Sequence, residues 1–346
     1  MNNSNGKPLL RVRDLKMHFP IRAGVFARVA DYVRAVDGVS FDIYPGETLG
    51  LAGESGCGKT TVGRTILRLI DGAEGEVYFE DSPNLLTLSQ REVRPYRKDL
   101  QIIFQDPFSS LNPRLTVAST LMEPLKIFGI GRNKKDRRDR VAQLLEEVGL
   151  SSSHLDRYPH EFSGGQRQRI GVARALTVEP KLIICDEAVS ALDVSVQAQI
   201  INLLMDLRKK HNLSFLFISH DLSVVEHISN RVAIMYLGKL VEIADKKEIY
   251  ANPLHPYTRA LLDAAPIPDP SLKRERILLE GDVPSPINPP PGCPFHPRCP
   301  ECFEPCDHEV PLLTPMEGKR QVSCHLHTHP NSPFKREPLT VGSNAD

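Results

Sequence analysis

Eight residues restrict this chain most: Gly53, Glu54, Ser55, Gly56, Cys57, Gly58, Lys59 and Thr60, set between an apolar run, TLGLA (48–52), and a helical pattern, VGRTILRLI (62–70). Glycines let a loop wrap tightly, so that successive N–H groups point at phosphate oxygens while the following helix N-terminus adds partial positive charge. Lys59 supplies a full positive charge, and Thr60, followed by Thr61, offers a hydroxyl to Mg²⁺. The pattern needs a strand before it and a helix after it, and both are written in the sequence. A plain glycine-rich turn is the alternative, and the strand-loop-helix context argues against it. The chain must therefore build a sheet whose strand ends face a phosphate.

A second acidic element stands at LIICDE (182–187), where an apolar run ends in Asp186 and Glu187. Strand alternation sends the two carboxylates different ways. Asp186 suits the shell of a Mg²⁺ ion, and Glu187 suits the polarisation of an attacking water as general base. The runs 181–186 and 214–219 are almost continuously apolar, as in parallel strands buried on both faces. Between them, Val196, Ile200, Leu203, Leu204 and Leu207 recur at three-to-four-residue spacing and predict a helix over 194–211. This is a β-α-β unit, and the fold class is α/β. Before it, a mostly helical stretch, about 116–150, carries RNKKDRRDR (132–140), read as a solvated helix face rather than a nucleic-acid patch.

Lysine plus arginine and aspartate plus glutamate are both 43, so no global basic field points to nucleic acid as a partner. No run of eighteen apolar residues occurs, and the first fifteen residues lack a signal-peptide core, so the chain is expected to be soluble by itself. Past Leu262 the character changes, because half of PSPINPPPGCPFHP (284–297) is proline and can continue neither a helix nor a central strand. The predicted division is 1–262, then a Cys- and Pro-rich region over 263–328, then a disordered tail over 329–346. Five of the seven cysteines lie between Cys293 and Cys324, which suggests a local metal or redox site in a reducing compartment.

Further segments carry a family resemblance. FSGGQRQR (162–169), with Ser163, Gly164, Gly165 and Gln166, resembles the signature of ABC ATPases. SALD (190–193), ending in Asp193, resembles their D-loop, Gln105 in IIFQDP their Q-loop, and His220 in FISHD their switch histidine, all in the family order. The likeness covers about Leu9 to Leu262. It implies a RecA-like core, a helical subdomain over about 106–178 and an N-terminal β subdomain. It also implies that Gln105 joins Thr60 and Asp186 around Mg²⁺, that Glu187, His220 and Gln105 serve hydrolysis, and that Phe19 stacks on adenine. The loop residues Gly53 to Thr61, with Asp186, Asp193 and the signature residues 163–166, would contact ATP. Cys57 stands where Ser is commoner and Ala188 where Pro is usual, and neither change removes a catalytic group. With one P-loop and one signature, the chain would need a second cassette, for which a paralogous subunit is expected, and two ATPs would drive closure of the pair.

DRYPHEFSGGQRQR (156–169), FQDPFSSLNPR (104–114), PLHPYTRALL (253–262) and GCPFHPRCP (292–300) together resemble the oligopeptide and dipeptide permease ATPases. This likeness implies two transmembrane permease subunits, an extracellular peptide-binding protein reached through them, and a peripheral place on the cytoplasmic face of the membrane. Nickel, glutathione or sugars are alternative cargoes. A soluble ABC-type ATPase acting on DNA or ribosomes would usually carry two fused cassettes or a coiled-coil insertion, and a P-loop kinase or GTPase would lack SGGQ. Cys293, Cys299, Cys306 and Cys324 match the pattern that these importer ATPases use for a [4Fe–4S] cluster, leaving Cys302 spare. Zinc held by Cys299 and Cys302 with His308 or His325 is the alternative. Because the segment is distant from the P-loop in sequence, a structural or docking role is expected ahead of redox sensing, and ATP binding is expected to survive loss of the cluster.

Overall fold

The computed structural model describes residues 6–24, 28–264, 281–330 and 332. Its strands are β1 (Leu10–Ala23), β2 (Arg28–Ile43), β3 (Thr48–Ala52), β4 (Glu74–Phe79), β5 (Leu100–Ile103), β6 (Leu182–Asp186), β7 (Ser214–Ile218), β8 (Arg231–Tyr236), β9 (Lys239–Asp245), β10 (Thr314–Pro315) and β11 (Gln321–Val322). The helices are α1 (Lys59–Ile66), α2 (Gln90–Val93), α3 (Val117–Ile127), α4 (Lys134–Glu147), α5 (Gly164–Leu176), α6 (Val194–His211), α7 (Leu222–Ile228), α8 (Lys246–Ala251), α9 (Pro256–Ala264) and α10 (His325–Thr328).

The larger sheet runs β10-β11-β9-β8-β3-β7-β6-β5. Its five strands from β8 to β5 are mutually parallel, and β9 turns back antiparallel onto β8. Parallel strands need crossover connections, and the helices between them cover the sheet on both faces. Alternation along each strand divides the core accordingly. Leu182, Ile184, Leu216 and Ile218 face α1 and the smaller sheet, where they join Val62, Ile66, Val12 and Phe41. Ile183, Cys185, Phe215 and Phe217 face the opposite way, among Ile170, Val172, Ile200 and Leu204. That is why these runs read as continuously apolar.

The smaller sheet, β2-β1-β4, is antiparallel throughout. Between β5 and β6 lie α3, α4 and α5, of which α3 and α4 fall within the helical stretch expected over about 116–150. Thr116 and Asn133 cap α3 and α4 by accepting from the N–H groups of Ser119 and Asp136. The charged run on α4 meets solvent, and Arg138 forks onto Asp156 at 3.0 and 2.6 Å. Close approach of α7 to β3 depends on Gly50, since a Cβ there would lie 2.4 Å from Ser229 Oγ and 2.7 Å from Val225 Cγ1.

The proline-rich region joins the same core. Cys293, Phe295 and Cys306 belong to the helix-side cluster, and β11 adds to the sheet by pairing with β9. The rings of Tyr236, Tyr257 and Phe295 meet with centroids 4.6 to 5.4 Å apart, which anchors this region beneath β8 and α9. At the start of the expected tail, Ser332 is buried and donates to the Leu326 carbonyl at 2.9 Å. Residue 331 and residues 333–346 lie outside the described residues, as do 265–280.

Candidate nucleotide site

The loop from Gly53 to Gly58 leaves the end of β3 and enters α1, with Gly53, Gly56 and Gly58 at φ of 150°, 79° and 107°. Gly58 is obligatory on two counts. It caps α1 in the left-handed region, and a Cβ would fall 2.0 Å from the Ala35 carbonyl oxygen. Ser55 and Gly56 are exposed at the loop tip, whereas Cys57 is buried, and burial raises its thiol pKa. Lys59 is buried, and its ammonium donates to the carbonyls of Gly53 and Glu54 at 2.8 and 2.9 Å, drawn back along the loop.

β6 ends beside this loop. Asp186, 1% exposed, accepts from Thr60 Oγ1 at 2.6 Å, and Arg64 stands 3.5 Å from its other oxygen. A buried carboxylate paired with a hydroxyl next to a phosphate loop is the hard-oxygen donor set that Mg²⁺ takes together with phosphate and water. One residue later the backbone turns to φ 46° at Glu187, whose N–H donates to Ile218 of β7. Glu187 lies past the end of β6, so this turn, and not strand alternation, sets where its carboxylate goes. It accepts from Gln105 Nε2 at 2.8 Å, and His220 Nδ1 lies 3.5 Å away. Gln105 is thus bonded to Glu187 rather than to Thr60 or Asp186. Three segments far apart in sequence converge on one carboxylate.

The signature opens α5. Ser163 caps it in a reciprocal box with Gln166, the Ser163 N–H donating to Gln166 Oε1 at 3.0 Å. Asp193 occupies the N-cap position of α6, and the next residue, Val194, is 83% exposed. Among the described residues no hydrogen bond or ion pair joins Ser163, Gly164, Gly165 or Gln166 to the P-loop. Phe19 lies in β1 opposite Val33, half-buried against the core between the sheets. A cavity of about 730 Å³ opens elsewhere, between β2, β8 and the C-terminal strands, and its arginines Arg13, Arg231 and Arg320 are each paired with a carboxylate of this chain.

Two residues at the loop were not legible in the sequence. Tyr257 Oη accepts from the Glu54 N–H at 2.9 Å, and Arg298 forks onto the Glu54 carboxylate at 3.0 and 3.2 Å. Arg298 is 244 residues from Glu54 and sits within the cysteine segment, so sequence distance misled about that segment's place. Spacing and periodicity held no sign of either contact.

Cys293, Cys306 and Cys324 are buried, Cys299 is half-buried and Cys302 is exposed. Burial pushes the Cys293 thiol up to about 11 and that of Cys299 to about 12, and raises Cys324, whose thiol also feels Cys293, Cys299 and Cys306. A metal centre here would have to displace protons. Among the described residues no three His, Cys, Asp or Glu side chains are placed to hold one metal ion. The zinc alternative also loses its histidines, since His325 Nε2 is engaged with the Glu309 carbonyl at 2.8 Å and His308 is an exposed partner of Asp307.

Residues 36–190 match the family model described as ABC transporter, and residues 241–306 match that described as oligopeptide/dipeptide transporter, C-terminal region. The second match takes in Cys293, Cys299 and Cys306 and stops short of Cys324. The chain is 53% identical to an oligopeptide transport ATP-binding protein, AppF, of Bacillus subtilis (strain 168), over 95% of this chain and 100% of that one. It is likewise 53% identical to a probable peptide ABC transporter ATP-binding protein, y4tS, of Sinorhizobium fredii, over 92% and 90% of the two chains. Among solved structures, the ATP-binding cassette MJ0796, a dimer in a post-hydrolysis state bound to ADP and Pi, superposes with a TM-score of 0.60 at 27% identity, covering 68% of this chain and 98% of that one.

Proposed function

The chain belongs to the ATP-binding proteins of ABC transporters, in the oligopeptide/dipeptide class, and from that premise we propose that it hydrolyses ATP at the cytoplasmic face of a membrane to power peptide import. The observation that carries this reading is the convergence of Lys59, Thr60 and Asp186 on one side of the β3–β6 strand ends and of Gln105, Glu187 and His220 on the other. The loop N–H groups and Lys59 receive the phosphates, with the Lys59 ammonium leaving its own carbonyls to do so. Thr60 and Asp186 would hold Mg²⁺, which when bound offsets the charge on the β- and γ-phosphates. Glu187 takes the proton of the attacking water, while Gln105 and His220 hold its carboxylate in the direction of attack.

The exposed Ser163 at the head of the half-buried signature and the exposed start of α6 support a composite site completed by a second cassette, with a paralogous subunit as the partner proposed here. No helix among the described residues is long and apolar enough to cross a membrane, so passage of cargo falls to other subunits, proposed to be two permease chains supplied by an extracellular peptide-binding protein. Relatives named for peptide and oligopeptide transport support peptide as cargo.

Purified chain, permease subunits and binding protein, reconstituted in vesicles, are expected to take up labelled peptide only with ATP present, and Lys59→Ala is expected to stop both hydrolysis and uptake. ATP turnover without uptake of any peptide would overturn the cargo assignment.

The Cys293, Cys299, Cys306 and Cys324 thiols are proposed to hold a [4Fe–4S] cluster. Their grouping in a buried corner, where Cys324 feels Cys293, Cys299 and Cys306, supports the reading. Cys302, exposed, remains outside the set.

A further inference from the structure

Glu54, the second residue of the P-loop, is gripped from two sides by parts of the chain that the nucleotide motifs do not include. Arg298 lies in the turn between Cys293 and Cys299, and its side chain is 7% exposed. Nη1 donates to Glu54 Oε2 at 3.0 Å and Nη2 to Oε1 at 3.2 Å, the planar fork that only arginine can present. Nη1 also reaches Tyr236 Oη at 3.4 Å, and Tyr236 packs against Phe295 in the same turn. Burial works against the Arg298 charge, but the bonds to Glu54 and Tyr236 prevail and hold its pKa above the usual arginine value.

On the backbone side, the Glu54 N–H donates to Tyr257 Oη at 2.9 Å. Tyr257 is fully buried in α9, beneath both Tyr236 and Phe295. The carbonyl of the same Glu54 is one of the two on which the Lys59 ammonium rests. Whatever orients Glu54 therefore orients a peptide unit that must release Lys59 and present its neighbours' N–H groups to phosphate. The pair is only part-buried, with Glu54 25% exposed, and what its two-pronged geometry supplies is a fixed direction for the carboxylate.

We propose that Arg298 and Tyr257 are positioning residues of the P-loop, so that the Cys-rich segment forms the back wall of the nucleotide site and sets its affinity for ATP. The proposal rests on the reading of the P-loop as the ATP site. A loop held in its bound shape loses less freedom when nucleotide arrives, and releasing it weakens binding with no ligand contact removed.

The full chain is tested by measuring ATP dissociation constants for wild type, Arg298→Ala, Glu54→Gln and the double variant, with thermal unfolding in parallel. Each single variant is expected to weaken ATP about tenfold, equivalent to about 1.4 kcal/mol of binding free energy. The double variant is expected to be no weaker than the worse single one, because both changes break one interaction. Arg298→Lys, which keeps the charge and loses the fork, should recover part of the affinity. In the assembled transporter Arg298→Ala should raise KM for ATP while kcat at saturation stays near wild type. Tyr257→Phe removes a single oxygen, leaves the ring packing in place and should weaken ATP in the same direction, even if Arg298→Ala folds poorly. Unchanged affinity in folded Arg298→Ala and Tyr257→Phe, or strictly additive losses in the double variant, would overturn the proposal. ATP binding that survives Lys59→Ala would instead sink the assignment of the site itself.

Discussion

Glu187 owes its position to one backbone angle. At φ 46° the chain leaves β6 so that the carboxylate meets Gln105 and His220 while its neighbour Asp186 stays buried against Thr60. A left-handed conformation at a non-glycine residue costs free energy, of the order of 1–2 kcal/mol, and is kept where the surroundings impose it. Here the Glu187 N–H to Ile218 and the Ser190 hydroxyl to the Glu187 carbonyl do so. Glu187→Gln preserves the size and the polar contacts and removes the basicity. Turnover is therefore expected to fall by about 10²-fold or more, with ATP affinity retained. Single-turnover kinetics on the variant check this, and a loss of only a few-fold would remove Glu187 from the role of base.

At the scale of elements, the signature helix shows why the choice of probe matters. In the composite site proposed above, Gly164 and Gly165 would meet the partner's phosphate, and a carboxylate at either would repel it. Within this chain the two differ. A Cβ on Gly165 would lie 2.4 Å from Val196 Cγ1 of α6, whereas one on Gly164 would meet Leu192 at 3.6 Å and Phe108 at 4.0 Å, ordinary contact. Gly165→Asp would thus strain the α5–α6 packing, and Gly164→Asp tests the partner's site without that strain. The isolated Gly164→Asp chain is expected to bind ATP as wild type does, and the assembled transporter to lose hydrolysis. Weakened ATP binding in the isolated chain would mean that the signature acts in its own cassette. Packing at β3 and α7 gives a stability counterpart. Gly50→Ala should lower stability by about 1–3 kcal/mol through overpacking against Val225 and Ser229, read as a drop in the thermal midpoint.

Across the whole molecule, the C-terminal region and the nucleotide core share one interior, and two measurements report on it. His255 is buried, its Nδ1 accepts from the Tyr257 N–H at 3.0 Å, and burial pushes its pKa down from 6.5 to about 3. The unfolded chain takes up a proton below pH 6.5 that the folded chain refuses. His255 thus contributes nothing to pH dependence above that value and costs about 1.4 kcal/mol of stability per pH unit as the pH falls toward 3. Thermal midpoints at pH 7.5 and 5.5 should therefore differ less in His255→Asn than in wild type. An equal difference in both would show that His255 protonates in place. The second measurement concerns the thiols. Chain purified without oxygen is expected to be brown with about four irons, and Cys299→Ser to lose them. Cys299 neighbours Arg298, so ATP affinity should fall in the same variant, where the sequence by itself led to the opposite expectation. Colourless protein with one zinc and no iron would overturn the cluster.

Local patterns determined much of this protein. The P-loop declared its strand and helix through glycine and lysine chemistry, and the helix expected over 194–211 is α6 from Val194 to His211. The apolar runs ending in Asp186 and before His220 became neighbouring parallel strands, because burial on both faces leaves no room for polar alternation. Glu187 was singled out by its place after an apolar run, and Gln105 and His220 by the family resemblance. Their meeting around one carboxylate, with Gln105 hydrogen-bonded to Glu187 and His220 3.5 Å away, was not legible, since it depends on strand order and on the turn at Glu187. The rear of the site was wholly a matter of tertiary structure. Arg298 and Tyr257 reach Glu54 because β8, α9 and the proline-rich turn bury their aromatic rings together. Nothing in the order of residues along a chain records which buried surfaces will find each other, because burial is non-directional and only the folded packing selects the pairs.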